Sequence, residues 1–172
     1  LLQTDSDRPF FAEFGWASGD ADQPMPTADS VWTASSMLLS PTTPVTLSWN
    51  NGKGLTFRRQ LAINDDYMIT VDDSVESSLS TPLTLFPYGL VRRHGTPPTT
   101  GIYILHEGAL GVFDETLSEI DYDDMRDGDE GIDDIRPESN GGWIGFTDKY
   151  WLAALVPDQS KRMNYAFKAL SG

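Results

Sequence analysis

The stretch VTLSWNNGKGLTFRRQLAI, Val45 to Ile63, carries the pattern that decides the fold. Val45, Leu47 and Trp49 alternate with Thr46 and Ser48, so a strand of period two would put the apolar residues on one face and the hydroxyls on the other. Asn51-Gly52 then supplies a turn dipeptide, and Leu55, Phe57, Leu61 and Ile63 resume an apolar face. Two alternating runs around Asn-Gly predict a β-hairpin.

The same period extends outward along the chain. Upstream, FFAEFGW places Phe10, Ala12, Phe14 and Trp16 on one face. Downstream, Asn64-Asp65-Asp66 reads as the next turn, with Tyr67, Ile69 and Val71 lining a further strand. LTLFPYGLVRR and GIYILHEG read as two more strands, the first interrupted by Pro87. NGGWIGFTDKYWLAALVP, Asn140 to Pro157, is an aromatic-rich hairpin, and in MNYAFKAL the residues Met163, Tyr165, Phe167 and Ala169 alternate as a strand, with helix as the alternative for so short a run. DADQPMPTADS and LLSPTTPV are long Pro-containing loops. No segment keeps a helical period over three turns, and no internal repeat is present. These patterns predict one all-β, predominantly antiparallel domain over residues 1–172.

Composition narrows the function classes. With 26 acidic and 12 basic residues the net charge is −14, which repels phosphate backbones and anionic headgroups; nucleic acid is excluded and flat docking on a membrane is disfavoured. Much of the excess is local: Phe113 to Glu138 holds twelve acids and two arginines, as counted from the sequence. The chain has no cysteine, so disulfides, thiol nucleophiles and thiolate metal sites are absent. No run approaches the roughly 20 apolar residues of a membrane span. Leu1-Leu2 is followed at once by QTDSDRP, which is not signal-like and reads as the start of a trimmed fragment.

Candidate chemistry is sparse. His94 and His106 are the residues suited to acid–base work. His106 and its neighbour Glu107 would point to opposite faces of a strand, so ordinary hydrogen bonding is expected of both histidines rather than catalysis. In DYDDMRDGDEGIDD an EF-hand register beginning at Asp123 puts Gly128 at the turn. It also puts Met125 at a ligand position and Asp134 where a bidentate Glu belongs, so it fails. The window from Asp114 to Asp134 is expected to be an irregular, solvated acidic surface with room for a short helical turn, and no metal or cofactor is assigned.

Taken in order, FFAEFGW, PVTLSWNNGKGLTFRRQLAINDDYMITV, LFPYGLVRRHG, YILHEGALGVFDETLSEIDYDDM and NGGWIGFTDKYWLAALVP resemble the large periplasmic domain of the YidC membrane protein insertases of Gram-negative bacteria. The resemblance implies an antiparallel β-supersandwich of galactose-mutarotase-like outline, present as a truncated core of the domain that lacks its first strands and its last strands and helix. It implies a non-catalytic domain without cofactor on the periplasmic face of the inner membrane, tethered there in the full-length protein. The partners it implies are Sec translocon periplasmic segments and nascent membrane proteins. A carbohydrate-binding or aldose-epimerase-like sandwich is the alternative on the same architecture, and a mere spacer is a third.

Within this frame Gly141-Gly142 is expected to make a sharp turn out of the acidic loop. Ile144 and Phe146, or Trp143 on the other face, are expected to pack with Tyr150, Trp151 and Leu152 as core or inter-sheet surface. The alternative is a groove for extended polypeptide. The candidate partner surface therefore comprises Trp143, Tyr150, Trp151, Asp123, Asp124, Asp127 and Asp129.

Overall fold

The computed structural model describes residues 2–4, 6–95, 106–127 and 137–169. The twelve strands and one short helix among the described residues confirm the antiparallel all-β class. Contacts gather into two compact units, Leu1–Glu13 with Gly89–Gly172, and Phe14–Tyr88. Strands β1 (Phe10–Ser18) and β6 (Leu85–Arg93) pair with each other, and each contributes residues to both units.

The unit of residues 14–88 is built on the opening hairpin. Strands β2 (Thr33–Ala34), β3 (Val45–Asn50), β4 (Leu55–Ile63) and β5 (Ile69–Ser77) form a sheet in that order. The β3–β4 connection is longer than a two-residue turn: Gly52 and Gly54 both take positive φ. The Asn51 side chain accepts hydrogen bonds from the Lys53 and Leu55 amides at 2.8 and 3.0 Å, closing the loop. Register then places Trp49 opposite Phe57, and Phe57 opposite Val75. This row meets Trp16 and Trp32, with ring centroids 5.0 Å apart for Trp16–Phe57 and 5.6 Å for Trp49–Phe57. Phe57 is completely buried, and the cluster with Leu55 and Trp16 is the core of this unit.

The next row of the same face holds a charge. Arg59 faces Asp73 across β4 and β5, bidentate at 2.8 and 2.9 Å, and both side chains are less than one-fifth exposed. The guanidinium carbon lies 4.9 Å from the Trp16 ring centroid and 5.6 Å from that of Phe14. A cation is tolerated on an apolar face here because a carboxylate pairs with it and flat rings cover it.

The other unit holds two sheets. Strands β7 (Gly108–Phe113), β8 (Thr116–Asp121), β10 (Trp143–Thr147) and β11 (Leu152–Leu155) order as β11-β10-β7-β8, and β9 (Glu138–Asn140) pairs with β12 (Arg162–Asn164). Ala109, Ile120, Met125 and Phe167 form its buried core, with Phe113, Ile144 and Phe146 against it. The glycine turn behaves as expected: Gly141 and Gly142 have φ of 66° and 93°, and a Cβ on Gly142 would collide with the Val112 carbonyl.

Several expectations are corrected. The acidic window is not irregular at its start, since β8 occupies it; the short helical turn expected in the window is helix α1 (Tyr122–Asp127). Asp114 and Glu115 make a two-residue hairpin turn at φ 45° and 65°, a role usually given to Asn-Gly. Tyr67 does not line a strand; it sits in the β4–β5 turn at φ 62° and is exposed. Pro87 does not interrupt β6. MNYAFKAL is strand only to Asn164, although Tyr165 and Phe167 keep their buried alternation. Of the expected strand GIYILHEG, residues 101–105 lie outside the described residues.

Removing one partner of the Arg59–Asp73 pair leaves the other charge against aromatic rings. Asp73→Ala is therefore expected to cost about 3 kcal/mol by urea denaturation. The double change Arg59→Met with Asp73→Leu should cost less than Asp73→Ala alone. Equal losses in the two chains would contradict this account.

Candidate functional site

In the unit of residues 1–13 and 89–172, the aromatic hairpin is held by one carboxylate. Asp148, in the β10–β11 turn, accepts from Arg93 Nη1 at 2.7 Å on Oδ1 and 2.6 Å on Oδ2. The Tyr122 hydroxyl donates to Asp148 Oδ1 at 3.2 Å. Arg93 also stacks on Phe10, 4.9 Å from the centroid, and the Tyr122 ring lies parallel to that of Phe146 at 6.3 Å. The end of β6, the first residue of α1 and the hairpin turn thus meet at one node.

The electrostatics follow from partial burial. Burial opposes the Arg93 charge most strongly, but the hydrogen bonds and charges of Asp148 and Tyr122 together outweigh it and hold the guanidinium above its ordinary pKa. Burial pushes the Tyr122 hydroxyl from 10.0 to about 12; the Arg93 charge opposes that shift and Asp148 adds to it. The phenol therefore stays neutral and keeps its proton for Asp148.

The node determines what is displayed beside it. Asp148 and Trp151 close a tight turn, the Asp148 amide donating to the Trp151 carbonyl at 2.8 Å. Tyr150, Trp151 and Leu152 are 76%, 58% and 50% exposed, which overturns the expectation that they pack as core. A two-residue connection between Asp148 and Trp151 leaves no room for these rings to fold inward, and Phe146 and Ile144 already fill the inner face. Lys149 Nζ lies 5.1 Å from the centroid of the Tyr150 ring. On the α1 side of Tyr122, Asp123 and Asp124 occupy the first helical turn, where the helix dipole favours acids, and both are exposed.

Of the seven candidate residues, four gather beside this node and Trp143 lies away from it. Tyr122 and Asp148 bring Asp123 and Asp124 to the same node as Tyr150 and Trp151. Trp143 is at the far end of β10, four residues and roughly 13 Å from Thr147 at the rise of a strand. It is half-buried, on the face opposite Ile144 and Phe146. Asp127 belongs to the backbone of α1, and Asp129 lies outside the described residues.

Arg93, Tyr122 and Asp148 escape sequence reasoning. Their one signal is an arginine at an inward position near a strand end, which asks for a buried acid that spacing alone cannot identify. His106 directs Nδ1 to Asp121 at 2.9 Å and Nε2 to the Ala109 carbonyl at 3.1 Å, so both ring nitrogens serve local structure. The His94 ring lies 6.2 Å from that of Phe11. Among the described residues, no helix is long and apolar enough to cross a membrane.

A family model described as the YidC periplasmic domain matches residues 1–171. Among curated proteins, the chain is 49% identical over 165 residues to the membrane protein insertase YidC of Methylobacterium nodulans, covering 92% of this chain and 27% of that protein. It is 44% identical over 173 residues to that of Methylorubrum extorquens, covering 97% and 28%. With that of Granulibacter bethesdensis it shares 41% over 171 residues, covering 98% and 29%. The chain thus spans between a quarter and a third of the length of these relatives.

The raised Tyr122 pKa gives a sign-definite pH dependence. A neutral phenol is favoured in the folded state, so its contribution is complete below pH 10.0 and is lost as pH rises towards about 12. The urea midpoint should fall over that interval, and Tyr122→Phe should fall less. Parallel curves for the two chains would refute the assignment.

Proposed function

Because the chain belongs to the YidC periplasmic-domain family, we propose that it is the non-catalytic periplasmic domain of a membrane protein insertase. In this reading it works as one domain, tethered at the periplasmic face of the bacterial inner membrane. It assists insertion and folding of inner-membrane proteins, alone or with the Sec translocon. Its partners are translocon periplasmic segments and nascent membrane proteins.

The observation that supports this reading is the pairing of an exposed aromatic turn, Tyr150 and Trp151, with the acidic start of α1 through the Arg93–Asp148–Tyr122 node. Exposed aromatics fixed on a rigid turn lose little conformational entropy on binding and supply large contact area. Exposed carboxylates beside them raise the encounter rate with basic segments. Neither feature requires a reacting group. The strong net negative charge also suits a role away from nucleic acid and anionic lipid.

The test is association kinetics with periplasmic segments of the Sec translocon across a salt series. Replacing Asp123, Asp124, Asp127 and Asp129 with Asn should leave the melting transition in place and slow association several-fold at low salt. The difference should shrink as the Debye length falls to about 8 Å near physiological salt. Tyr150→Ser with Trp151→Ser should instead raise the dissociation rate, because contact area acts after encounter. Unchanged rates in both variants would refute this surface.

A further inference from the structure

A second set of exposed apolar side chains belongs to the unit of residues 14–88. Val45 faces Leu61 across β3 and β4, and Ile63 faces Ile69 across β4 and β5. The Ser35 amide donates to the Thr46 carbonyl at 2.9 Å. The β2–β3 loop and the β4–β5 turn therefore leave the sheet at the same end, from strands about 5 Å apart. That end displays Met37, Leu38, Tyr67, Met68 and Ile69, which are 98%, 67%, 90%, 55% and 54% exposed. Met37 and Leu38 in one loop, Tyr67 and Met68 in the other and Ile69 at the first residue of β5 thus gather five large exposed apolar side chains at one end of the sheet.

The patch is held in place. The Asn64 side chain accepts from the amides of Asp66 and Met68 at 2.9 and 3.0 Å, and the Asn64 amide donates to the Met68 carbonyl at 3.1 Å. Tyr67 occupies φ 62°, an uncommon conformation for a bulky residue, with its ring directed to solvent. In the other loop, Ser40 and Thr43 exchange backbone hydrogen bonds at 3.2 and 3.0 Å around Pro41-Thr42. Side chains presented from closed loops bind with little ordering cost, and methionines adapt to varied apolar surfaces.

Charge selects the occupant. Residues 35–45 contain no ionisable side chain, and residues 64–72 contain Asp65, Asp66 and Asp72 but no base. An anionic bilayer would be repelled by that rim, and interfacial segments normally carry Lys or Arg. A second copy would set the same acids against each other. We propose that this end of the sheet docks a partner protein whose contact surface has an apolar centre ringed by Lys or Arg.

The test uses the 172-residue chain and two fluorescent synthetic helical peptides of equal charge, one with a leucine face bordered by lysines and one with serine replacing each leucine. The leucine peptide should bind at least tenfold more tightly. Tyr67→Ser with Met68→Ser should remove that preference, and Met37→Ser with Leu38→Ser should reduce it, without change in the melting transition. Tyr150→Ser with Trp151→Ser should leave most of the preference intact, which separates failure of this patch from failure of the aromatic-turn surface. Tyr67→Gly, which relieves the positive φ while deleting the ring, should reduce the preference in the same direction and keeps the test valid if the double variant misfolds. Equal affinity for the two peptides, or a preference insensitive to both patch variants, would overturn the proposal. Tyr67-dependent binding to phosphatidylcholine vesicles would overturn it in favour of a lipid surface. Tyr67-dependent dimerisation in ultracentrifugation would overturn it in favour of a second copy.

Discussion

A guanidinium placed against aromatic rings must find its carboxylate where it stands, and each unit of this protein is organised by one such pair. Arg59 with Asp73 fixes β4 against β5 beneath Phe14 and Trp16. Arg93 with Asp148 fixes the aromatic hairpin against the end of β6 and the start of α1. A one-residue slip of either partner would send its charge to the opposite face and leave the other buried without a counterion. Apolar contact alone tolerates small shifts. These pairs do not, and they select a single register.

The same constraint explains how a strongly acidic chain can display apolar side chains. At the β10–β11 turn, Asp148 is occupied inward, so Tyr150 and Trp151 have no inward place left and project outward. At the β4–β5 turn, the Asn64 side chain closes the loop and Tyr67 is turned out. In both cases the hydrogen bonds of one polar side chain in the turn, to distant residues for Asp148 and to the turn's own backbone for Asn64, decide the direction of an aromatic ring. The net charge of −14 then keeps such surfaces from meeting their own kind and favours contacts with basic partners.

The histidines illustrate why residue type is a weak guide to chemistry in such a chain. His106 is the kind of residue that invites an acid–base role, yet its two ring nitrogens face Asp121 and the Ala109 carbonyl, holding the start of β7 against β8. The phenol of Tyr122, which no motif marks, has its pKa raised to about 12 by burial, and its hydroxyl donates to Asp148.

Legibility followed the physical range of each signal. Period-two alternation depends only on backbone geometry, so β1, β3, β4 and β10 were readable from side chains alone, as were the glycine turn at Gly141-Gly142 and the antiparallel class. The order of motifs through NGGWIGF also led to the family. Strand β8 was missed because its inward face carries Ser118 beside Ile120 while Leu117 points out, which cancels the alternation. The candidate surface was half legible: acidity and aromatic content stand in the sequence, but their meeting depends on Arg93, Tyr122 and Asp148, which are separated by up to 55 positions. By itself the sequence determined the strand period, the turns and the charge, because each is set by neighbouring residues. Only the tertiary structure decided which acid pairs with which arginine and which rings face water, because those choices are made by residues distant in sequence competing for the same buried space.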